Sequence, residues 1–275
     1  MVKACTREQL EKIQMHELDI LEEIKRVCEE NNISWFTVGG TTLGAIRHEG
    51  FIPWDNDIDL GMLREDYDKF MEIAGKQLKK GYVLQHFSTD KNTPTYFAKV
   101  RKDGTKFAQY SNKSLKIHHG VFVDIMPYDS VPEDVIQRRK YNKKVKLWHE
   151  LYKAKMMWVA SKPLFTSKRT FFNTCTRFIL HTLLLPCPKK VIFSKMEKTI
   201  RKYNGTDTNM ISSRGIPVFE CFKADIFPPR EHKFENTSVM VPKDSHRVLT
   251  IQYGDYMKLP PEEKRVSHLP YILEL

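Results

Sequence analysis

The stretch Trp54-Asp55-Asn56-Asp57-Ile58-Asp59-Leu60 places three carboxylates within five residues. On a strand, side chains at i and i+2 share a face. Asp57 and Asp59 would then project together while Ile58 and Leu60 enter a core. Two carboxylates on one edge repel unless a cation lies between them. Such a pair of hard oxygen ligands suits Mg²⁺ or Mn²⁺, ions that also bind substrate phosphates. A solvated acidic loop is the plain alternative for a D-x-D sequence standing alone.

Two further features bear on that choice. Val38-Gly39-Gly40-Thr41 reads as a strand running into a double glycine and then a helix start. Glycines lack Cβ atoms, so backbone N–H groups there can approach a phosphate, and the helix N-terminus adds partial positive charge. An ordinary strand–helix turn is the competing reading. In Phe122-Val123-Asp124-Ile125-Met126 a single carboxylate interrupts an apolar strand. A buried ionised Asp is costly, so Asp124 requires a cation or hydrogen-bond donors.

The elements that must hold these residues follow from periodicity. Thr6 and Gln9 form a T-x-x-Q capping box before a helix carrying Leu10, Ile13, Ile20, Ile24 and Val27, which stops near Asn31. Ile33–Val38 reads as a strand, Gly39–Arg47 as a short helix, Ile58–Met62 as a strand and Arg64–Lys80 as a helix. Strands are expected at 82–87, 96–101, 106–110 and 121–126, with an Asp103-Gly104 turn and with Pro127 ending the last. From Glu133 to Tyr203 the pattern is helical, broken near Pro163, Pro186 and Pro188. A final helix is expected near Asp244–Tyr253. The expected organisation is a catalytic core over residues 1–130, a basic helical region over 131–205, and a C-terminal segment over 206–275 that packs back on the core.

The chain has 275 residues and a formal net charge of +11. Residues 133–202 hold 18 Lys and Arg against 4 Asp and Glu, so the basic character is one central block and the rest is slightly acidic. With Trp148, Trp158, Phe165, Phe171 and Phe172 interleaved, that block suits an anionic membrane surface, a solvated helical face, or nucleic acid. An apolar share of 41% supports a globular core and argues against global disorder. The first residues show no secretory signal, no stretch is long and apolar enough to span a bilayer, and the five scattered cysteines favour free thiols.

The ordered set of apolar strand, G-G-T, D-x-D and a later lone Asp resembles the signature of the nucleotidyltransferase fold. More narrowly, the chain resembles the LicD/fukutin family. The carrying residues are GGTTLGAIR (39–47), PWDNDID (53–59), GVFVDIMPYD (120–129) and YGDYM…LP (253–260). The resemblance implies an α/β (α+β) fold with a mixed β-sheet core flanked by helices. It also implies metal-dependent transfer of a phospho-alcohol, typically phosphocholine, from a CDP-activated donor such as CDP-choline to a sugar hydroxyl of a teichoic acid or lipopolysaccharide precursor.

On that resemblance Asp57 and Asp59 hold Mg²⁺ or Mn²⁺. Asp124 is either a third ligand or the general base, and Asp55 either a further ligand or a structural anchor. Gly39, Gly40, Thr41, Arg47, Lys99 and Arg101 are candidates for the donor phosphates. Tyr253, Asp255 and His268 are candidates for the acceptor side. Trp35, Trp54 and Tyr96 are either core aromatics or a cage for a cytosine ring or a quaternary ammonium, and His118 and His119 stay outside the site. Expected partners are the CDP-alcohol, a lipid-carrier-linked glycan and the inner face of an anionic membrane, with the protein cytoplasmic and peripheral. Nucleic acid is not expected. Ribitol or glycerol phosphate transfer, nucleotidyl transfer to a small molecule, and a non-enzymatic nucleic-acid- or lipid-binding protein are the alternatives.

Overall fold

The computed structural model describes residues 5–157, 167–213, 219–265, 267 and 270–275. Helix α1 (Arg7–Glu30) starts at Thr6, whose hydroxyl accepts from Gln9 N while the Gln9 side chain accepts from Thr6 N. The capping box therefore forms as the sequence predicts. Ile13, Ile20, Ile24 and Val27 are buried on one face of the helix. Strand β1 (Phe36–Thr37) is shorter than the apolar run 33–38, because only these two residues find ladder partners, Gly61 and Leu60. Helix α2 (Gly39–His48), β2 (Ile58–Leu63) and α3 (Arg64–Gln77) follow, then β3 (Tyr82–Gln85), β4 (Ala98–Lys102) and β5 (Lys106–Ala108).

The next strand, β6 (Phe122–Ser130), does not stop at Pro127. Its β4 partners end at Ile125, and Asp129 begins a new pairing, so Pro127 lies in the interval between two antiparallel neighbours. A residue without an N–H is tolerated at such an interruption of the ladder. The described main sheet runs β1-β2-β6-β4-β3, with β2 and β6 parallel and the other pairs on this path antiparallel. This is the expected mixed sheet flanked by helices. The Asp103-Gly104 turn does not close a β4–β5 hairpin. Instead β5 pairs with residues Ile272–Glu274, labelled β11 below.

The basic block forms α4 (Val135–Met156), α5 (Lys168–Leu183) and α6 (Lys189–Ile200). Asp134 and Ser167 cap α4 and α5, and Pro188 stands at the N-cap of α6. The predicted break at Pro163 lies outside the described residues. Tyr141, Val145 and Tyr152 of α4 and Ile192, Met196 and Ile200 of α6 join Met126, Tyr128 and Val131 in one buried apolar cluster.

The C-terminal segment adds strands to the sheet and apolar residues to the core. Strand β7 (Met210–Ser212) extends the sheet from β6, and β8 (Cys221–Phe222) pairs with β7. A short α7 (Lys223–Ile226) precedes the hairpin β9 (Arg230–Phe234) and β10 (Thr237–Val241), which contributes Phe234, Val239 and Val241 to the main core. Helix α8 (Ser245–Tyr253) lies against α2, and β11 (Ile272–Glu274) completes the order.

A buried ion pair fixes the far end of β6. Arg64 donates Nε to Asp129 Oδ1 at 2.8 Å and Nη2 to Oδ2 at 2.6 Å, while Asn204 Nδ2 reaches Oδ1 at 2.6 Å. Two parallel guanidinium–carboxylate bonds define position as well as add energy. Among the described residues no helix is long and apolar enough to cross a membrane.

Candidate active site

The functional side chains lie on one row across the sheet. Gln85 of β3, Lys99 of β4, Asp124 of β6 and Asp59 of β2 are successive register partners. Register partners present their side chains to the same face, so Asp59, Asp124 and Lys99 share it. Ile58 and Leu60, pointing the other way, are fully buried in the main core, while Asp57 and Asp59 are half-buried. The alternation expected of D-I-D-L is therefore present.

Asp124 finds its required cation within the protein. The Lys99 ammonium forms an ion pair with the Asp124 carboxylate, and it sits 3.6 Å from the centre of the Phe122 ring. Both groups are buried. Burial pushes the Lys99 ammonium down and the Asp124 carboxyl up, and the attraction between them opposes both shifts. Arg101 is 2% exposed. It donates Nε to Gln85 Oε1 and Nη1 to Gly120 O, both at 2.6 Å. Burial lowers its guanidinium to about 10. Lys99 and Arg101 are thus both buried, Lys99 paired with Asp124 and Arg101 held by Gln85 and Gly120.

The glycine turn has a different occupant from the one its sequence suggests. Gly39 starts α2 with φ of +55°, a conformation other residues rarely adopt. A Cβ on Gly40 would lie 2.8 Å from Asp55 Oδ2. The missing side chain therefore makes room for the Asp55 carboxylate near the N-terminus of α2, where the helix dipole favours negative charge. The Asp55 carboxylate thus packs between the acidic loop and the glycine turn. Thr41 is buried, and its Oγ1 accepts from Asp59 N at 2.8 Å, while Val38 N donates to Asp59 O at 3.0 Å. These bonds seat the backbone of Asp59 against the turn.

From α8, Tyr253 brings its hydroxyl to 3.5 Å from the Cβ position of Gly39. Its hydroxyl is pushed up to about 12, first by burial and then by Asp59, Asp55 and Asp57. Tyr253 is thus in the field of the acidic cluster, where resemblance alone had put it on the acceptor side. Arg47 reaches the same corner: Nη1 donates to Tyr256 O at 2.6 Å and Nε to His48 Nε2 at 3.0 Å. It ties α2 to the turn after α8. Asp255 is exposed in that turn, and His268 lies outside the described residues.

Two residues of α1 at the site, Gln14 and Glu17, escaped the sequence reading. Gln14 of α1 donates Nε2 to Asp55 O at 2.8 Å. One turn further on, Glu17 is 1% exposed, and its Oε2 has no hydrogen-bond partner among the described residues. Burial pushes its carboxyl well above the ordinary value, and Asp57, Asp55, Asp124 and Asp59 push it further. The signal was available: in the series Ile13, Glu17, Ile20, Ile24, a glutamate occupies a position of the buried face.

The other candidates separate cleanly. Trp35 and Tyr96 belong to the apolar clusters, Tyr96 accepting from Arg64 Nη2 at 3.0 Å. Trp54 lies beneath the Arg265 guanidinium at 5.2 Å. His118 faces Asp103 at 3.4 Å, and His119 Nε2 donates to Leu115 O at 3.0 Å. Neither histidine is part of the acidic cluster.

Asp55, Asp57, Asp59 and Asp124 all act on the buried Glu17 carboxyl, and their carboxylate oxygens are of the hard donor type that a divalent cation takes. Among the described residues, however, no three His, Cys, Asp or Glu side chains are arranged to hold a metal ion. At Asp124 the local positive charge comes from Lys99.

The chain matches the family model described as "LicD/FKTN/FKRP, nucleotidyltransferase domain" over residues 32–190. It is 29% identical to "Lipopolysaccharide cholinephosphotransferase LicD" of Haemophilus influenzae, over 98% of this chain and 97% of that protein. It is 39% identical over 64 residues to "Ribitol 5-phosphate transferase FKRP" of mouse and of human, a segment covering 22% of this chain and 13% of those proteins. The matched region contains the glycine turn, the acidic loop, Lys99 and Asp124, so the chain belongs to the LicD/FKTN/FKRP nucleotidyltransferase-domain family.

Proposed function

We propose that the protein transfers phosphocholine from CDP-choline to a sugar hydroxyl of a cell-surface glycan precursor. The observation that carries this reading is the end-to-end similarity to a lipopolysaccharide cholinephosphotransferase, which spans 98% of the chain. The shared-face row of Asp59, Asp124 and Lys99 supports it. In the proposed reaction the sugar oxygen attacks the phosphorus that bears choline. The bond from that phosphorus to the bridging diphosphate oxygen breaks, CMP leaves, and the hydroxyl proton passes to a carboxylate. Asp124 is the candidate acceptor of that proton, held in place by Lys99.

Mg²⁺ or Mn²⁺, when bound, would neutralise charge on the donor diphosphate. Asp57 and Asp59 are the residues proposed to hold it, with Asp55 fixing the loop against Gly40. Tyr253 lines the corner proposed for the acceptor, and Arg47, bonded to Tyr256 O beside it, is proposed to face the donor phosphates. An acceptor on a lipid carrier would bring the protein to the cytoplasmic face of the membrane, where the basic block meets anionic lipid.

The test is a screen of CDP-choline, CDP-ribitol and CDP-glycerol with Mg²⁺ and an amino-sugar acceptor, reading CMP. Release from CDP-choline above the other two is expected. Preference for CDP-ribitol would instead favour the activity named for the mammalian relatives. Pyrophosphate release from CTP, with no CMP from any CDP-alcohol, would overturn the proposal in favour of nucleotidyl transfer.

A further inference from the structure

Helix α5 is packed with its polar side inward. Its buried residue is Thr174. On the same side, His181 Nδ1 donates to Ala154 O of α4 at 2.8 Å, and Arg177 lies 3.9 Å from Glu150 of α4. Helical spacing collects Phe172, Ile179 and Leu183 on the other side, with Phe171, Cys175 and Phe178 along its border. Among these, Phe172 is 66%, Phe178 52%, Ile179 60% and Leu183 72% exposed. Leu185 in the following turn is 58% exposed. An amphipathic helix of a globular protein normally buries this stripe and exposes the other. Here the neighbouring helix covers the polar side, and the apolar side faces outward.

The surrounding charge selects what covers it. From Leu151 to Met196 the chain has nine Lys and Arg and no Asp or Glu. Exposed Lys168 and Arg169 flank the first turn of α5, and exposed Lys190 follows its end. A second copy of this face would bring like charges together. Nucleic acid would match the charge, but it offers no apolar phase for Ile179, Leu183 and Leu185. An anionic bilayer offers both, with headgroup phosphates at the level of the cations and acyl chains beneath the aromatic and aliphatic side chains.

We infer that α5 is a membrane-inserting helix, lying in the plane of an anionic bilayer with the Phe172, Phe178, Ile179 and Leu183 face sunk into the acyl boundary. The inference deepens the proposed location of the acceptor and does not depend on the chemistry of transfer. It also narrows the role of the basic block. Arg138 is occupied by Glu220 at 2.9 Å and by Pro132 O and Glu133 O. Lys155 is buried, donating to Leu184 O and Leu185 O. Arg138 ties α4 to the segment before β8 and Lys155 ties α4 to the end of α5, so contact with lipid falls to α5 and its flanks.

The experiment uses the full chain and vesicles of phosphatidylcholine with or without phosphatidylglycerol. The wild type should float with the anionic vesicles and remain partly bound at 0.5 M salt, since apolar insertion is not screened. The triple variant F172S/I179S/L183S replaces exposed side chains, so circular dichroism should be unchanged while vesicle partitioning falls roughly tenfold or more. In a second variant, F178W, the new indole emission should shift blue on anionic vesicles and be quenched by lipids brominated along the acyl chain. Unchanged flotation of the triple variant, or a Phe178→Trp probe that neither shifts nor is quenched, would overturn the inference. So would concentration-dependent dimerisation through this face without vesicle binding. CMP release with a soluble acceptor is measured in parallel: flotation without CMP release would count against the transferase proposal and leave the helix assignment standing.

Discussion

Asp59 and Asp124 are register partners on adjacent parallel strands, 65 positions apart in sequence and side by side on one sheet face. A carboxylate pair so placed is repulsive unless positive charge is brought to it. Lys99, the next residue along the row, supplies that charge on one side. The other side, toward Asp57, is where a divalent cation would enter on the proposed function.

Replacing Asp57 or Asp59 by Asn should therefore remove transfer and leave the fold. A loss of roughly 10²-fold or more in kcat is expected, the scale seen when a preorganised electrostatic group is removed. The melting temperature without metal should change little, because both side chains are half-buried and neither fills the core. Mg²⁺ or Mn²⁺ should raise the wild-type melting temperature by mass action and raise that of either variant less. Wild-type kinetics in both variants would remove the metal assignment.

Gly40→Ala tests the seat of Asp55. The added Cβ would stand 2.8 Å from Asp55 Oδ2, so the acidic loop must move. Alanine favours a helix by up to about 1 kcal/mol over glycine, so stability should hold while activity falls about tenfold. Gly75→Ala in α3 is the control, since a Cβ there meets nothing within 4 Å. It should be neutral or slightly stabilising with full activity. Equal activity in the two variants would show that the position of Asp55 is immaterial.

Glu17→Gln should stabilise the protein at neutral pH. The Glu17 carboxyl is raised above its ordinary 4.5 by burial and by the four aspartates. Such a group contributes stability that is fully present below the unfolded value and lost as pH rises toward and through the folded value. Glutamine keeps the neutral, uncharged form at every pH. The variant should thus match the wild type near pH 4 and exceed it increasingly toward pH 8, as read by urea midpoints. A constant offset across that range would contradict the placement of Glu17 in the aspartate field.

Asp129→Asn should be the most destabilising of these changes. It leaves the Arg64 guanidinium, 7% exposed, without its bidentate partner. A buried charge stripped of every counter-ion costs about 3–5 kcal/mol, and Glu197 at 3.7 Å and Asp68 at 3.9 Å remain near Arg64, so a loss of about 2–3 kcal/mol is expected. The double change Arg64→Met with Asp129→Leu removes both charges and should recover part of that loss. A loss below about 1 kcal/mol in the single variant, measured by denaturant titration, would show that Asn204 and the surrounding polar groups compensate for the carboxylate.

Local chemistry was legible in the chain by itself. The capping box at Thr6 and Gln9, the alternation at Asp57 to Leu60, and the break before α6 at Pro188 each depend on neighbours in sequence, and each stands as the sequence predicts. The family-bearing motifs are of the same kind, short and contiguous. Extension of β6 through Pro127 was not legible, because tolerance of a missing N–H depends on where β4 ends and β7 begins. Glu17 was not identified, because a helical period shows that a position is buried but not what it is buried against.

The sequence by itself determined the family, the mixed α/β architecture and the carboxylates brought together on the sheet. Only the tertiary structure decided how each charge is met: Lys99 facing Asp124, Asp55 filling the space left by Gly40, and Arg101 held inside by Gln85 and Gly120. It also decided that α5 turns its apolar stripe outward. The physical reason is range. Propensity and periodicity act over a few residues, whereas the partner of a buried charge and the covering of an apolar face are set by segments that meet only when the chain has folded.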